Sequence, residues 1–170
     1  MHLHDTRTIA ADPATVFTAL LDPAVLCACV PGAQEVTGTA DGGFEAVVVQ
    51  KVGPVKATFR GTVTLSDLVP GAGLTLTGEG KGGAAGFAKG GAEVRLAPSD
   101  TGGTLLSYRA EARVGGKLAQ LGNRIIDGFA RKMADQFFDN LQAQFTAEAD
   151  EDPQGAKEAA PPRKTWFGRG

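Results

Sequence analysis

Few side chains in this 170-residue chain can do covalent chemistry, and those few are poorly placed to act together. The only histidines, His2 and His4, alternate on one side of an N-terminal strand pattern, and no further metal ligands accompany them. Cys27 and Cys29 stand one residue apart, a spacing that suits neither an ordinary disulfide nor a zinc site. They read as free thiols, and neither has a histidine at hand to make a thiolate–imidazolium pair. Gly82-Gly83-Ala84-Ala85-Gly86 has the composition of a phosphate cradle. It lacks the Lys-Ser/Thr ending and lies between two strand patterns instead of before a helix, so it reads as a lip or a tight connection. Tyr108 is the one hydroxyl on an inward-facing position, able to polarise a carbonyl oxygen or simply to serve as a core aromatic with one hydrogen bond. No catalytic residues and no metal site are assigned.

The elements that hold these residues follow from periodicity. Lys117 to about Thr146 is predicted as one long helix, with Leu118, Leu121, Ile125, Ile126, Phe129, Met133, Phe137, Phe138, Leu141 and Phe145 recurring at three- and four-residue steps. Such a helix spans roughly 45 Å at about 1.5 Å per residue, enough to cross a whole sheet. Before it, residues 3–9 make a first strand. Asp12-Pro13 and Asp22-Pro23 then each place a capping side chain before a proline, so two short helices follow in tandem.

From residue 33 to 114 the pattern has period two. Val55, Ala57, Phe59, Gly61, Val63 and Leu65 alternate with Lys56, Thr58, Arg60, Thr62 and Thr64. Turn signals at Asp41-Gly42-Gly43, Pro70-Gly71-Ala72-Gly73, Gly82–Gly86 and Ser99–Gly103 separate six strands after the first. A sheet with one wet face must cover the other, and the long helix is the element of adequate length. The expected class is α+β: a curved seven-stranded antiparallel sheet around a long C-terminal helix, with two short helices after the first strand.

If the later turns centre near residues 69, 85 and 100, Gly61, Gly78, Ala92 and Tyr108 share one inward row, Phe59, Gly80, Gly90 and Ala110 the next, and Ala57, Gly82, Ala88 and Ala112 a third. One end of the concave face is then almost all glycine and alanine. The 24 glycines are about twice the usual share. Two readings fit. Glycine permits sheet bending and close approach of the helix at Ala119 and Gly122, or the missing side chains leave room for an apolar ligand. In the second reading Leu118, Leu121, Ile125 and Phe129 make a greasy helical wall, and Phe44, Phe59 and Phe87 gate or floor the site.

Composition bounds the rest. The hydrophobic share is 42%, the charged share 21% and the formal charge −2, ordinary values for one soluble domain and without the basic excess of a nucleic-acid binder. No secretory signal and no run of 18 apolar residues are read, so a cytoplasmic protein is expected. After residue 146 an acidic stretch reads as disordered linker. The last ten residues turn basic and aromatic: Arg163, Lys164, Trp166, Phe167 and Arg169 could dock on an anionic membrane surface or on a partner protein. The organisation expected is a domain over 1–146 and a tail over 147–170.

Several separated segments resemble one family. Val30-Pro31-Gly32, Pro54-Val55-Lys56-Ala57-Thr58-Phe59-Arg60-Gly61, Gly78 through Gly90, Gly115 through Gly122 and Met133 through Phe138 are similar to the CoxG proteins of carbon monoxide dehydrogenase systems. The resemblance covers residues 1 to about 146. It implies a START-like (SRPBCC) helix-grip fold, in agreement with the element order above. It also implies a non-enzymatic accessory of molybdenum-containing carbon monoxide dehydrogenases or related hydroxylases, binding a quinone or another isoprenoid lipid without any covalent cofactor. Peripheral association with the inner face of the cell membrane would follow. The resemblance carries over no catalytic set.

Overall fold

The computed structural model describes the backbone of residues 1–151 and the side chains of residues 1–146, so the docking residues expected between Arg163 and Arg169 lie outside the described part. Seven strands form a single antiparallel sheet: β1 (His2–Ile9), β2 (Ala33–Thr39), β3 (Gly43–Val52), β4 (Val55–Val69), β5 (Gly73–Lys81), β6 (Phe87–Pro98) and β7 (Thr104–Gly115). Their order is β1-β7-β6-β5-β4-β3-β2, a meander whose first strand returns to pair with its last. Two short helices, α1 (Pro13–Leu20) and α2 (Pro23–Cys29), connect β1 to β2. Asp22 caps α2 by accepting from the Ala24 N–H at 2.9 Å. Asp12 makes no such bond to the backbone, and its carboxylate takes the Thr15 hydroxyl instead.

The expected single helix is two. The chain makes one turn, α3 (Lys117–Gln120), breaks at Leu121-Gly122, and restarts as α4 (Asn123–Glu151). Leu121 and Gly122 donate to carbonyls three residues back, and Gly122 has φ +90°, a left-handed backbone that ends a helix and favours glycine. Apolar spacing continues across the break, which is why periodicity alone reads one helix. Met1–Phe138 forms one compact unit, and α4 from Asp139 onward belongs to a second.

Alternation assigns the faces of β4 to β7 as expected, but every register differs by two residues. Gly61 pairs with Gly80, Gly78 with Gly90, and Ala92 with Ala110, in place of Gly61 with Gly78, Gly78 with Ala92, and Ala92 with Tyr108. A bulge between Ser66 and Val69, with Asp67 at φ +51°, lengthens β4 and moves its turn. In the next two hairpins the turn centre lies one residue from its expected place. Moving a hairpin centre by one changes each partner by two, so faces survive while rows do not. The observed inward rows are Gly61, Gly80, Ala88 and Val114; Val63, Gly78, Gly90 and Ala112; Leu65, Leu76, Ala92 and Ala110; then Leu74, Val94 and Tyr108.

The tightest core lies where α1 meets β6 and β7, with Val16, Ile9 and Leu106 at most 1% exposed. Thr104 is also fully buried there, and its hydroxyl donates to the Ala11 carbonyl at 2.6 Å.

The close-approach reading of the glycines is not what the helix break shows. A Cβ at Gly122 or Gly128 would meet nothing within 4 Å. Gly86 differs, since at φ +110° its Cβ would fall 1.9 Å from the Gly115 carbonyl oxygen. Gly122→Ala is therefore expected to cost about 1 kcal/mol, for the left-handed backbone alone. Gly86→Ala should cost clearly more in the same urea titration, and equal losses would contradict this distinction.

Candidate functional site

The concave face holds an apolar chamber of about 270 Å³. Leu20 of α1, and Leu26 and Val30 in and just after α2, close one side. Val36, Phe44, Ala46, Val63, Leu65, Leu74, Leu76, Ala92, Val94, Leu106 and Tyr108 supply the sheet wall, and Phe137 and Phe138 of α4 the opposite wall. The observed register explains the volume. Ala92 shares its row with Leu65 and Leu76, so a small residue sits among large ones and leaves space inside the bulky end.

Tyr108 is the only lining residue whose side chain carries a polar atom; the chamber surface itself is almost wholly apolar, and the phenol oxygen interacts with Arg7. Its ring stacks on Phe138 with centroids 5.1 Å apart and planes at 25°, and Phe137 meets Phe138 edge-on at 5.1 Å. Behind this aromatic wall stands a charged cluster. Arg7 of β1 lies over the ring of Phe138, its guanidinium carbon 5.2 Å from the ring centroid. Its Nε donates to Asp5 Oδ2 at 3.1 Å, and its Nη2 donates to Asp135 Oδ1 on α4. With Asp135 and Asp5 more than half exposed, these pairs add at most about 1 kcal/mol to stability. Their geometric effect is larger, because one guanidinium ties β1 to the α4 turn that carries Phe138.

Of the sequence-predicted ligand residues, Phe44, Ala92 and Tyr108 line the chamber. Phe59 and Gly82 lie together elsewhere, the phenyl ring where a Gly82 side chain would be. Phe87 covers Gly115 in the same way and is 43% exposed. Gly61, Gly78, Gly80, Ala88, Gly90, Ala110 and Ala112 form inward, half-buried rows beside the chamber without lining it. Leu118 is buried in α3; Leu121 and Ile125 flank Gly53; Gly122 is the helix break; Phe129 is half-buried on α4.

Sequence reasoning missed Val36, Ala46, Val63, Leu65, Leu74, Leu76, Val94 and Leu106 on the sheet, whose mostly branched side chains mark the end of the face opposite the predicted glycine-lined site, and it missed Leu20, Leu26, Val30, the Phe137-Phe138 pair as a site wall and the Arg7 cluster. One signal was available for Arg7, since Leu3, Asp5, Arg7 and Ile9 alternate on one strand face and two of the four are charged. His2 and His4 are exposed on β1. Cys27 and Cys29 are not joined in a disulfide, and no metal-binding group of His, Cys, Asp or Glu occurs among the described residues. No helix among the described residues is long and apolar enough to cross a membrane.

This arrangement, a curved antiparallel sheet with two short helices after its first strand and a long C-terminal helix, is the START-like (SRPBCC) helix-grip fold. Solved structures share the fold. A conserved protein from Geobacillus kaustophilus superposes with a TM-score of 0.81 at 24% identity, over 87% of this chain and 97% of that one. Protein CV1439 from Chromobacterium violaceum gives 0.62 at 23% identity, over 84% and 95%. TTHA0849 from Thermus thermophilus gives 0.65 at 12% identity, over 88% and 99%. No curated protein sequence matches this chain. The family of carbon monoxide dehydrogenase subunits named CoxG matches residues 6–146, and the chain belongs to that family. Membership supports a non-enzymatic, accessory role.

Burial pushes the Tyr108 phenol above its ordinary value, while the Arg7 charge pulls the other way. Tyr108 is the only tyrosine, so phenolate absorbance near 295 nm reports it alone. In the folded protein the midpoint is expected above that of the urea-unfolded chain, at about 10. Because the folded state holds this proton more tightly, the stability it contributes is present below the unfolded value and lost as pH rises through the folded one. A folded midpoint at or below the unfolded one would contradict the burial.

Proposed function

We propose that this protein holds the ring of a hydrophobic quinone, or of a similar isoprenoid lipid, and helps bring a molybdenum carbon monoxide dehydrogenase-type oxidoreductase to the membrane quinone pool. The observation that carries the reading is the chamber itself, walled on every side by apolar and aromatic side chains. Ligand pockets combine concave apolar walls with a few polar groups that set orientation. At about 270 Å³ the chamber falls just under the usual ligand-pocket range of about 300–1,000 Å³. A cavity of about 150 Å³ already takes benzene, so a ring system fits and a full isoprenoid chain must extend beyond the chamber.

The half-buried glycine and alanine rows beside the chamber are the natural path for that chain. They include Gly78, Gly80, Ala88, Gly90 and Ala112 on β5, β6 and β7. A Cβ at Gly80 would have only sheet atoms within 4 Å, which leaves room over that row. Family membership supplies the partner in this reading, a carbon monoxide dehydrogenase-type molybdenum hydroxylase. The C-terminal residues Arg163, Lys164, Trp166, Phe167 and Arg169 are assigned to docking on a membrane surface or on that partner, from their composition alone.

Organic extraction and mass spectrometry of gently purified protein should release close to one equivalent of a quinone or related lipid. Ala92→Phe, which fills the chamber, should retain less than about a tenth of it with the circular dichroism spectrum unchanged. An empty wild-type protein would leave a recruitment adaptor without cargo. Separately, the double variant Trp166→Ala/Phe167→Ala should lose flotation with vesicles containing anionic lipid; flotation equal to wild type would remove membrane attachment from the role of the tail.

A further inference from the structure

One end of the folded domain carries charge of a single sign. Residues 51–60, 81–89 and 113–126 hold three, two and three of the chain's 17 lysines and arginines, and none of its 19 acidic residues. The fold brings these segments together. Arg60 pairs with Lys81, Lys81 with Phe87 and Phe87 with Gly115, one row across β4 to β7 on the face away from the chamber. Lys89 pairs with Arg113 in the next row, and Lys51 with Lys56 in the β3–β4 hairpin. Gly116 lies against Gly86, and Leu121 and Ile125 lie beside Gly53, so Lys117 and Arg124 arrive at the same end. All eight of these cations are exposed.

Three of the pairs, Arg60 with Lys81, Lys89 with Arg113 and Lys51 with Lys56, set like charges directly opposite each other, which destabilises a sheet. Farther along the same face the pairs are of opposite sign, as in Glu93 with Arg109. An anionic surface laid over the basic end turns that repulsion into attraction. The apolar groups there select the kind of surface. Phe87, inside the basic row, and Ile125, beside the exposed Gly53-Pro54 turn, are each 43% exposed. An acidic protein or nucleic acid would match the cations, whereas a lipid interface takes both the cations and the apolar groups between them.

We propose that this end of the folded domain is a docking face for an anionic lipid bilayer, with Lys81, Lys89 and their basic neighbours on the head groups and Phe87 and Ile125 in the interface. It acts together with the tail contact proposed above, since weak attachments of this kind hold stably only in combination. The inward row Gly61, Gly80, Ala88 and Val114 lies one residue from the basic row, so the path proposed for a lipid chain opens toward the membrane. Docking itself does not depend on what the chamber holds.

Full-length protein floated with phosphatidylcholine vesicles, with and without phosphatidylglycerol, tests the face. Lys81→Glu/Lys89→Glu should weaken binding to the anionic vesicles at least about tenfold. Arg95→Glu/Arg109→Glu, the same change of net charge farther along the same face, should stay within about twofold of wild type, with circular dichroism unchanged in both. Phe87→Trp in a Trp166→Phe background reports the site directly, and its emission should move to the blue with anionic vesicles and stay put with phosphatidylcholine alone. Equal losses in the two charge-reversal pairs, or an unmoved Phe87→Trp emission while the protein floats, would overturn the docking face and leave the carrier reading intact. Binding of polyglutamate or a DNA oligonucleotide in place of vesicles, lost in Lys81→Glu/Lys89→Glu, would assign the end to an acidic polymer and overturn the lipid.

Discussion

The contact between Tyr108 and Phe138 is where three separate parts of the chain meet. Tyr108 belongs to β7, Phe138 to α4, and Arg7 reaches over the ring of Phe138 from β1, which pairs beside β7. Stacked rings at 5.1 Å give an attraction of about 0.5–1.5 kcal/mol beyond the area they bury. More consequential is where they place α4. Two large rings side by side keep the helix from collapsing onto the sheet at this level, and the volume between Phe137, Phe138 and Ala92 remains open. A smaller residue at either aromatic position would let the walls approach, whereas a larger one at Ala92 would fill the gap from below.

A one-faced sheet is under an obligation to hide its apolar side, and this protein meets it unevenly. Where α1 crosses β6 and β7 the packing is complete, with Val16 and Leu106 fully buried. Along the glycine and alanine rows it is incomplete: inward residues stay half-buried, and Ile125 near the start of α4 is 43% exposed. Unfilled apolar surface costs about 25 cal/mol for each Å² left in water. A fold that tolerates this on its concave face recovers that amount when an apolar molecule covers the surface.

Much of the architecture was legible because it is encoded locally. Alternation in β4 through β7, the Asp-Pro starts of α1 and α2, and the glycine-rich turns each depend on a few neighbouring residues. So does the family resemblance, carried by short segments such as Pro54–Gly61 and Gly78–Gly90. The candidate site was legible only in part, in Phe44, Ala92 and Tyr108. Leu20, Leu26 and Val30 belong to the two short helices or follow them directly, and nothing in a short amphipathic helix says which cavity it closes. Arg7 passed unremarked as one residue of an edge strand, although its partner Asp135 lies 128 positions away.

Sequence alone determined which residues of the regular strand stretches face inward, because side-chain direction there has a period of two and a hairpin centre moved by one residue changes partners by two. It also determined the order of elements and the absence of a recognisable catalytic motif. Tertiary structure decided which inward residues become neighbours. A bulge at Ser66–Val69 and one-residue changes in two turn centres moved every row by two, carrying Ala92 from the glycine end to the leucines. Gly122 divided a helix whose apolar spacing runs on unbroken. Those outcomes depend on the balance of backbone geometry and packing across the sheet, and they turned the stretch from Lys117 into a short turn followed by a helix whose phenylalanines, not its first leucines, form the wall of the chamber.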